Sequence, residues 1–422
     1  MNRQPLWSGD LISFGGSHHL TDTALSGVYV LDLSDGMSGG YCSKVLRDLG
    51  ADVIKIEAPR AGDSTRGMGP FLNRVPNIET SATFLYLNAG KQSLTLNLES
   101  DEGRKILRRL IGNSDVLVES FKPGMMDALG LGYSELEKLN PALVTASISY
   151  FGATGPYSDY EGSDLVAYAV SGYMYLTGDE DREPLKAGGS QSEYQAGMAG
   201  AMSIMAALTH RDFTGEGQHI DVSAIEALNA TFDGVGYYSA YENRGVVPKR
   251  AGTRLVQREP HGAYPSTLLP CKDGWVHVHY SPSNPEGIAM LTGDERMESD
   301  DVLSEMRGHA DEIDASLTEW LKDHTREEIQ TLAQEIRVPF TMVQSIPEVL
   351  EDPQNTARGF FVDIEHPEAG ALKYLTSPYR LPESPWHAVR APLLGEHNRD
   401  IICGALGYSD GDFQRLKEAN AI

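Results

Sequence analysis

Between Gly27 and Glu57 the chain switches its hydrophobic period twice, and no other stretch constrains the fold as much. Val28–Leu33 is a β-branched, apolar run of buried-strand length, closed by the glycine-bearing turn Asp35–Gly40. Cys42, Val45, Leu46 and Leu49 then recur at helical spacing, and Gly50 stands where a C-cap ends a helix. Val53–Ile56 reads as a second strand, ending in Glu57. A strand, short helix and strand within about thirty residues is a βαβ unit whose strands lie parallel. Ligands of an open parallel sheet gather at the carboxyl ends of its strands, so Asp35–Gly40 and the Glu57–Gly69 loop belong beside any site.

A dinucleotide is not the expected ligand. Glu57 could meet a ribose, but Gly36, Gly39 and Gly40 lack the G-x-G-x-x-G spacing that opens a helix onto a pyrophosphate. The 35 basic against 60 acidic residues give a net charge of −25, which repels nucleic acid and anionic membranes. Cys42, Cys271 and Cys403 are far apart, without the spacing of a disulfide framework or zinc site. The 12 histidines show no metal-ligand spacing, so no metal is expected. No apolar run approaches the ~20 residues that span a bilayer. Met1–Thr23 is polar, broken by Gly and Pro, and unlike a secretory signal. A cytoplasmic enzyme is the expectation.

Further along, Ser93–Leu98, Val116–Glu119 and Val144–Ser149 read as strands, and Asp101–Leu110 as a helix capped by Ser100. Alternation of this kind indicates an α/β domain. Tyr194–Thr209 is a helix rich in Gly and Ala that can approach a neighbour closely, and Ile220–Val222 follows as a strand. Composition shifts near Ala224. Tyr264–Leu269 and Trp275–Tyr280 look like paired strands around Lys272-Asp273-Gly274, and Ser299–Arg337 is acidic and helical, a solvated face. The expected organisation is an N-terminal extension at 1–26, a large α/β domain from 27–225, a small α+β domain at 226–330, and a linker and return over 331–422.

From Gly27 onward these segments resemble the family III CoA-transferases, a group that includes acyl-CoA racemases. The likeness rests on the opening βαβ unit and Gly62-Asp63-Ser64-Thr65-Arg66-Gly67. It continues through Phe121-Lys122-Pro123-Gly124, Leu129-Gly130-Leu131-Gly132-Tyr133 and Phe151-Gly152-Ala153-Thr154-Gly155-Pro156. Gly162-Ser163-Asp164-Leu165-Val166, the run from Thr214 to Ser223, and the closing Leu393–His397 complete it. The resemblance implies a Rossmann-like large domain built from both chain ends, a smaller α+β domain, and two chains threaded into an interlocked dimer. It implies no permanently bound cofactor, a coenzyme A thioester as substrate, and a carboxylic acid as its partner. It assigns coenzyme A binding to Asp35, Gly36, Met37, Arg66, Leu96, Phe121 and Leu129.

Departures from the family pattern cluster at the site. Where family transferases carry a nucleophilic aspartate, this chain has Glu193, in Glu193-Tyr194-Gln195-Ala196-Gly197. Glutamate can attack a thioester, but its extra methylene displaces the carboxylate by about 1 Å, which by itself can cost ~10²-fold. Racemases of the family place a histidine directly before Asp164; here Ser163 stands there and supplies no base near neutral pH. Ala128, Glu99 and Glu161 replace family cations suited to the phosphates of coenzyme A. Lys55, Arg60, Arg66, Lys91 and Lys122 remain; apart from Arg66, whose motif is intact, they are expected to be solvated surface cations. The favoured reading is the non-catalytic subunit of a heteromer with an aspartate-bearing paralogue, as in the succinyl-CoA:benzylsuccinate transferases of aromatic degradation. The alternative is a self-sufficient transferase using Glu193.

Overall fold

The computed structural model describes residues 23–231, 234–254, 264–306 and 308–422. The expected N-terminal extension therefore lies, up to residue 22, outside the described residues. Six strands form one sheet: β1 (Tyr29–Asp32), β2 (Asp52–Glu57), β3 (Gln92–Thr95), β4 (Val116–Glu119), β5 (Val144–Ser149) and β6 (His219–Ser223). All neighbouring pairs are parallel, in the order β3-β2-β1-β4-β5-β6. This is the doubly wound, Rossmann-like order, whose direction reverses between β1 and β4.

Covering both faces explains why the strands read as continuous apolar runs. Leu31, Ile54, Leu94 and Leu117 point to one face and join Ile106, Leu110, Phe413 and Leu416 in one core. Val30, Val53, Val116 and Val144 point to the other and join Cys42, Leu46, Ala201 and Ile204. Side chains one residue apart thus serve different layers, as the two-residue pleat requires. The helix Asp410–Glu418 joins the first of these cores, with Phe413 and Leu416 clustered with Leu31, Ile54, Leu94 and Leu117 of β1–β4. Ser100 caps the helix Asp101–Ile111 through the Gly103 amide, as expected.

By contacts, the described residues divide into two units: one of 23–171, 187–231 and 356–422, the other of 172–186 and 234–355. The second unit takes in 172–186 and runs past residue 330 to 355, while 226–231 fall in the first unit. Its sheet carries the chain past 330. β7 (Ser266–Cys271) and β8 (Gly274–His279) form the expected hairpin, and β9 (Thr341–Met342) adds to β8. Val338 and Phe340 enter its core with Val276, Val278, Leu317 and Ile329. The hairpin of β10 (Phe361–His366) and β11 (Gly370–Leu375), which the sequence reading did not single out, belongs to the first unit and packs Ile364 and Tyr374 on Phe84 and Leu85.

Candidate active site

The carboxyl ends of β1 and β4 meet at the reversal of strand order, where open α/β sheets bind ligands. Ser120, just beyond β4, ties the two ends together. Its hydroxyl donates to the Asp35 carbonyl at 2.8 Å and accepts the Asp35 N–H at 2.9 Å. The Asp35 carboxylate in turn accepts the Ser64 N–H at 2.7 Å, drawing the loop after β2 to the same place. Two hollows open here and share Asp35, Ser120, Phe121 and Lys122. One is a groove of about 990 Å³ that also includes Leu96 and Leu129. The other is a cavity of about 530 Å³ with Gly36, Tyr150 and Glu193 in its wall.

Two helices place Glu193. The first, Met37–Asp48, starts at Gly36, whose φ of 91° is left-handed and whose lack of a side chain leaves the helix start without a side-chain cap. The second, Gln191–Thr214, lies against it with Gly197 at the closest approach: a Cβ there would stand 2.5 Å from the Ser38 carbonyl oxygen. Tyr41 and Tyr194 meet edge to face, 4.9 Å between centroids. That packing brings the Glu193 carboxylate to the Met37 N–H, while the Tyr150 hydroxyl donates to its Oε1 at 2.7 Å. Burial raises the Glu193 pKa, and the Asp164 charge adds to that, against the lowering effect of the Tyr150 and Met37 hydrogen bonds. In dinucleotide-binding folds of this strand order, the pyrophosphate sits at the start of that first helix. Here a carboxylate of the same chain occupies that position.

The residues singled out for coenzyme A divide by environment. Asp35, Leu96, Phe121 and Leu129 line the groove, Gly36 lines the cavity, and Met37 contributes its N–H to Glu193. Arg66 is fully buried. Its Nε donates to Glu57 at 2.6 Å, its Nη1 to Glu79 at 2.7 Å and its Nη2 to the Pro392 carbonyl at 3.3 Å, and its guanidinium stacks on Phe84. It braces the loop after β2 rather than facing the groove.

Lys55 and Lys91 correct the expectation of solvated cations. Both are buried around Asp32: Lys91 lies 2.9 Å and Lys55 3.4 Å from its carboxylate, and Lys55 also pairs with Asp63 at 2.7 Å. Burial alone would raise the Asp32 pKa, but Lys55, Lys91, Ser34 and Ser43 together hold it well below the usual carboxylate range. The two lysines shift in opposite directions. Burial opposes the charge of each, but Asp32, Asp63 and Glu57 outweigh it at Lys55, which rises, whereas Lys91, favoured by Asp32 and Asp63 but repelled by Lys55, falls. Of the five cations, Arg60 and Lys122 are exposed, and Lys122 pairs with Glu161.

Ser163 caps the helix Asp164–Val170 by accepting the Val166 N–H, and Asp164 accepts from the Ser192 amide and hydroxyl at 3.0 and 2.7 Å. Asp164 thereby ties its helix to Ser192, the residue before Glu193. Tyr150 and Ser120 were not picked from the sequence; their one local signal is a position just past the end of β5 or β4, where a parallel sheet presents its ligand-facing residues. Among the described residues no helix is long and apolar enough to cross a membrane.

The model of CoA-transferase family III matches residues 25–398. The formyl-CoA:oxalate CoA-transferase of Streptomyces coelicolor is 33% identical over 421 residues, covering 96% of this chain and 100% of its own. The succinate–glutarate CoA-transferase of Agrobacterium fabrum is also 33% identical, over 90% of this chain and 94% of its own. Among solved structures, a CaiB/BaiF family protein from Brucella suis superposes with a TM-score of 0.79 at 31% identity, covering 91% of this chain and all of that one. The chain belongs to CoA-transferase family III.

Proposed function

We propose that this chain moves coenzyme A from an acyl-CoA donor to a carboxylic acid, with Glu193 as the nucleophile. The observation that carries this reading is the Glu193 carboxylate in the cavity wall, oriented by Tyr150 Oη at 2.7 Å and by the Met37 amide. A Glu193 oxygen attacks the thioester carbonyl carbon, the C–S bond breaks, and the coenzyme A thiolate leaves a glutamyl–acyl anhydride. The thiolate then attacks the glutamyl carbonyl, releasing the first acid as its carboxylate and leaving a glutamyl thioester. The incoming carboxylate attacks that thioester, and the thiolate displaced takes up the new acyl group, returning Glu193 as a carboxylate. Leu96, Phe121 and Leu129 supply the groove wall along which the coenzyme A chain lies, and Arg60 and Lys122 are the exposed cations near it.

The second reading keeps the same family chemistry but makes this chain the non-catalytic subunit of a heteromer, with the aspartate and a donor such as succinyl-CoA served by a paralogue. It is favoured by the burial of Lys55, Arg66 and Lys91, and by Glu99 in the groove wall, which leave few cations for phosphates. In both readings two chains interlock, and sedimentation at micromolar concentration is expected to give a dimer; a stable folded monomer would count against it.

One experiment separates the two. Incubation of the purified chain with an acyl-CoA, followed by hydroxylamine or borohydride, is expected to modify Glu193, and Glu193→Gln to abolish exchange. An unmodified Glu193, with activity appearing only when an aspartate-bearing paralogue is added, would establish the heteromer instead.

A further inference from the structure

The cavity that holds Glu193 has an unusual balance of charge for an enzyme that handles acids. Asp35, Asp159, Glu161 and Glu193 line it, and Lys122 is the only cation among the described lining residues. That lysine is engaged by Glu161. The remaining wall is apolar and aromatic. Phe151 and Tyr160 face the cavity and form one cluster with Tyr157: Phe151 lies 6.0 Å from each tyrosine ring, edge to face, and the tyrosines are 4.9 Å apart. Met68, Ile148 and Ala224 extend the apolar surface. A volume of about 530 Å³ is far more than a one- or two-carbon acyl group fills.

We propose that the acyl group this cavity takes carries an uncharged, bulky apolar or aromatic tail, so that the site selects monocarboxylic acids and rejects short dicarboxylic ones. The inference rests on the transferase reading above and specifies its substrate class. The reacting carboxyl is common to all candidate acids, so discrimination falls on the far end of the acyl chain. An aromatic tail finds edge and face contacts on Phe151 and Tyr160. Among the described lining residues a second carboxylate finds no cation that is not already paired, and it shares the cavity with Asp35, Asp159, Glu161 and Glu193. At the effective dielectric of a partly buried site, that repulsion disfavours it by on the order of 10²-fold. Rejection by like charge is as much a part of specificity as attraction.

The test measures exchange of ¹³C-labelled free acid into its own acyl-CoA by the full chain, comparing phenylacetyl-CoA with glutaryl-CoA. The expected kcat/KM favours phenylacetyl-CoA by ~100-fold. Glu161→Gln, which releases Lys122, is expected to shift the ratio towards glutaryl-CoA roughly tenfold, and Tyr160→Ala to shift it the same way by weakening the aromatic wall. Glutaryl-CoA exchanging as well as phenylacetyl-CoA overturns the inference. If neither exchanges and Glu193 stays unmodified, the nucleophile reading fails, but calorimetric titration with the two thioesters still decides the substrate class. Tenfold or tighter binding of phenylacetyl-CoA supports it; equal affinity, tighter glutaryl-CoA, or binding of neither refutes it.

Discussion

Tyr150 is the side chain whose loss is most informative about Glu193. Its hydroxyl donates to a carboxylate that burial has already made harder to ionise. A hydrogen bond to a charged group is worth ~1.5–3 kcal/mol, so Tyr150→Phe is expected to lower kcat/KM by ~10- to 100-fold. The same substitution removes an interaction that lowers the Glu193 pKa. The wild-type acid limb should therefore already lie above the ordinary glutamate value of about 4.3, and the variant's should lie higher still. A pH profile of kcat/KM reads both; an acid limb that does not move would mean Tyr150 does not act on Glu193. Asp32 behaves in the opposite sense. Its pKa is depressed in the folded chain, so it contributes stability that is fully present above the unfolded value of about 3.9 and is lost as pH falls below it. Asp32→Asn leaves Lys55 and Lys91 buried with less compensation, and urea unfolding at neutral pH is expected to show a loss of ~3–5 kcal/mol.

Among the elements, the contact of the helices Met37–Asp48 and Gln191–Thr214 sets the geometry of the site. The 191–214 segment contains few large residues on its buried side, where Ala196, Gly197, Gly200 and Ala201 lie. A methyl group at Gly197 meets backbone of the first helix, at Ser38 and Cys42, which no rotamer change relieves. Gly197→Ala is therefore expected to cost ~1–3 kcal/mol in thermal or urea unfolding. It should also reduce turnover by more than Met198→Ala, since it moves Glu193 away from Met37 and a 1 Å misplacement can cost ~10²-fold. Equal losses from the two would show that helix separation is not what positions the carboxylate. The small-residue run was legible as a close-packing helix; its partner was not, because two helices nearly 150 positions apart are matched only through the sheet on which both lie.

For the molecule as a whole, closure of the sheet by the C-terminal segment is the stabilising feature most distant in sequence. Phe413 and Leu416 are buried in the same core as Leu31 and Leu94. Phe413→Ala is expected to destabilise the first unit by ~3–5 kcal/mol by leaving a cavity over the sheet, read as a lower urea midpoint. A surface substitution such as Glu418→Gln should leave that midpoint within about 0.5 kcal/mol. Composition marks where acidic helices begin, not where a strand rejoins its sheet, so it does not by itself bound the second unit. β9 is two residues long and carries no alternation, so its pairing with β8 leaves no periodic signal in the sequence.

What the sequence by itself determined is what local periodicity and residue chemistry can carry. The strands and helices of the sheet, the Ser100 cap, the β7–β8 hairpin and the family were all legible. Tertiary structure alone decided which charges are available for chemistry. Lys55 and Lys91 look in sequence like any surface cation, and Arg66 like a ligand contact, yet each lies buried against carboxylates supplied from β1, β2 or the loop after it. Tyr150 likewise became part of the site only when β5 and the 191–214 helix converged. A side chain's burial and partners depend on contacts between residues distant in the chain, and those contacts, rather than the residue type, decide its charge state and its reach.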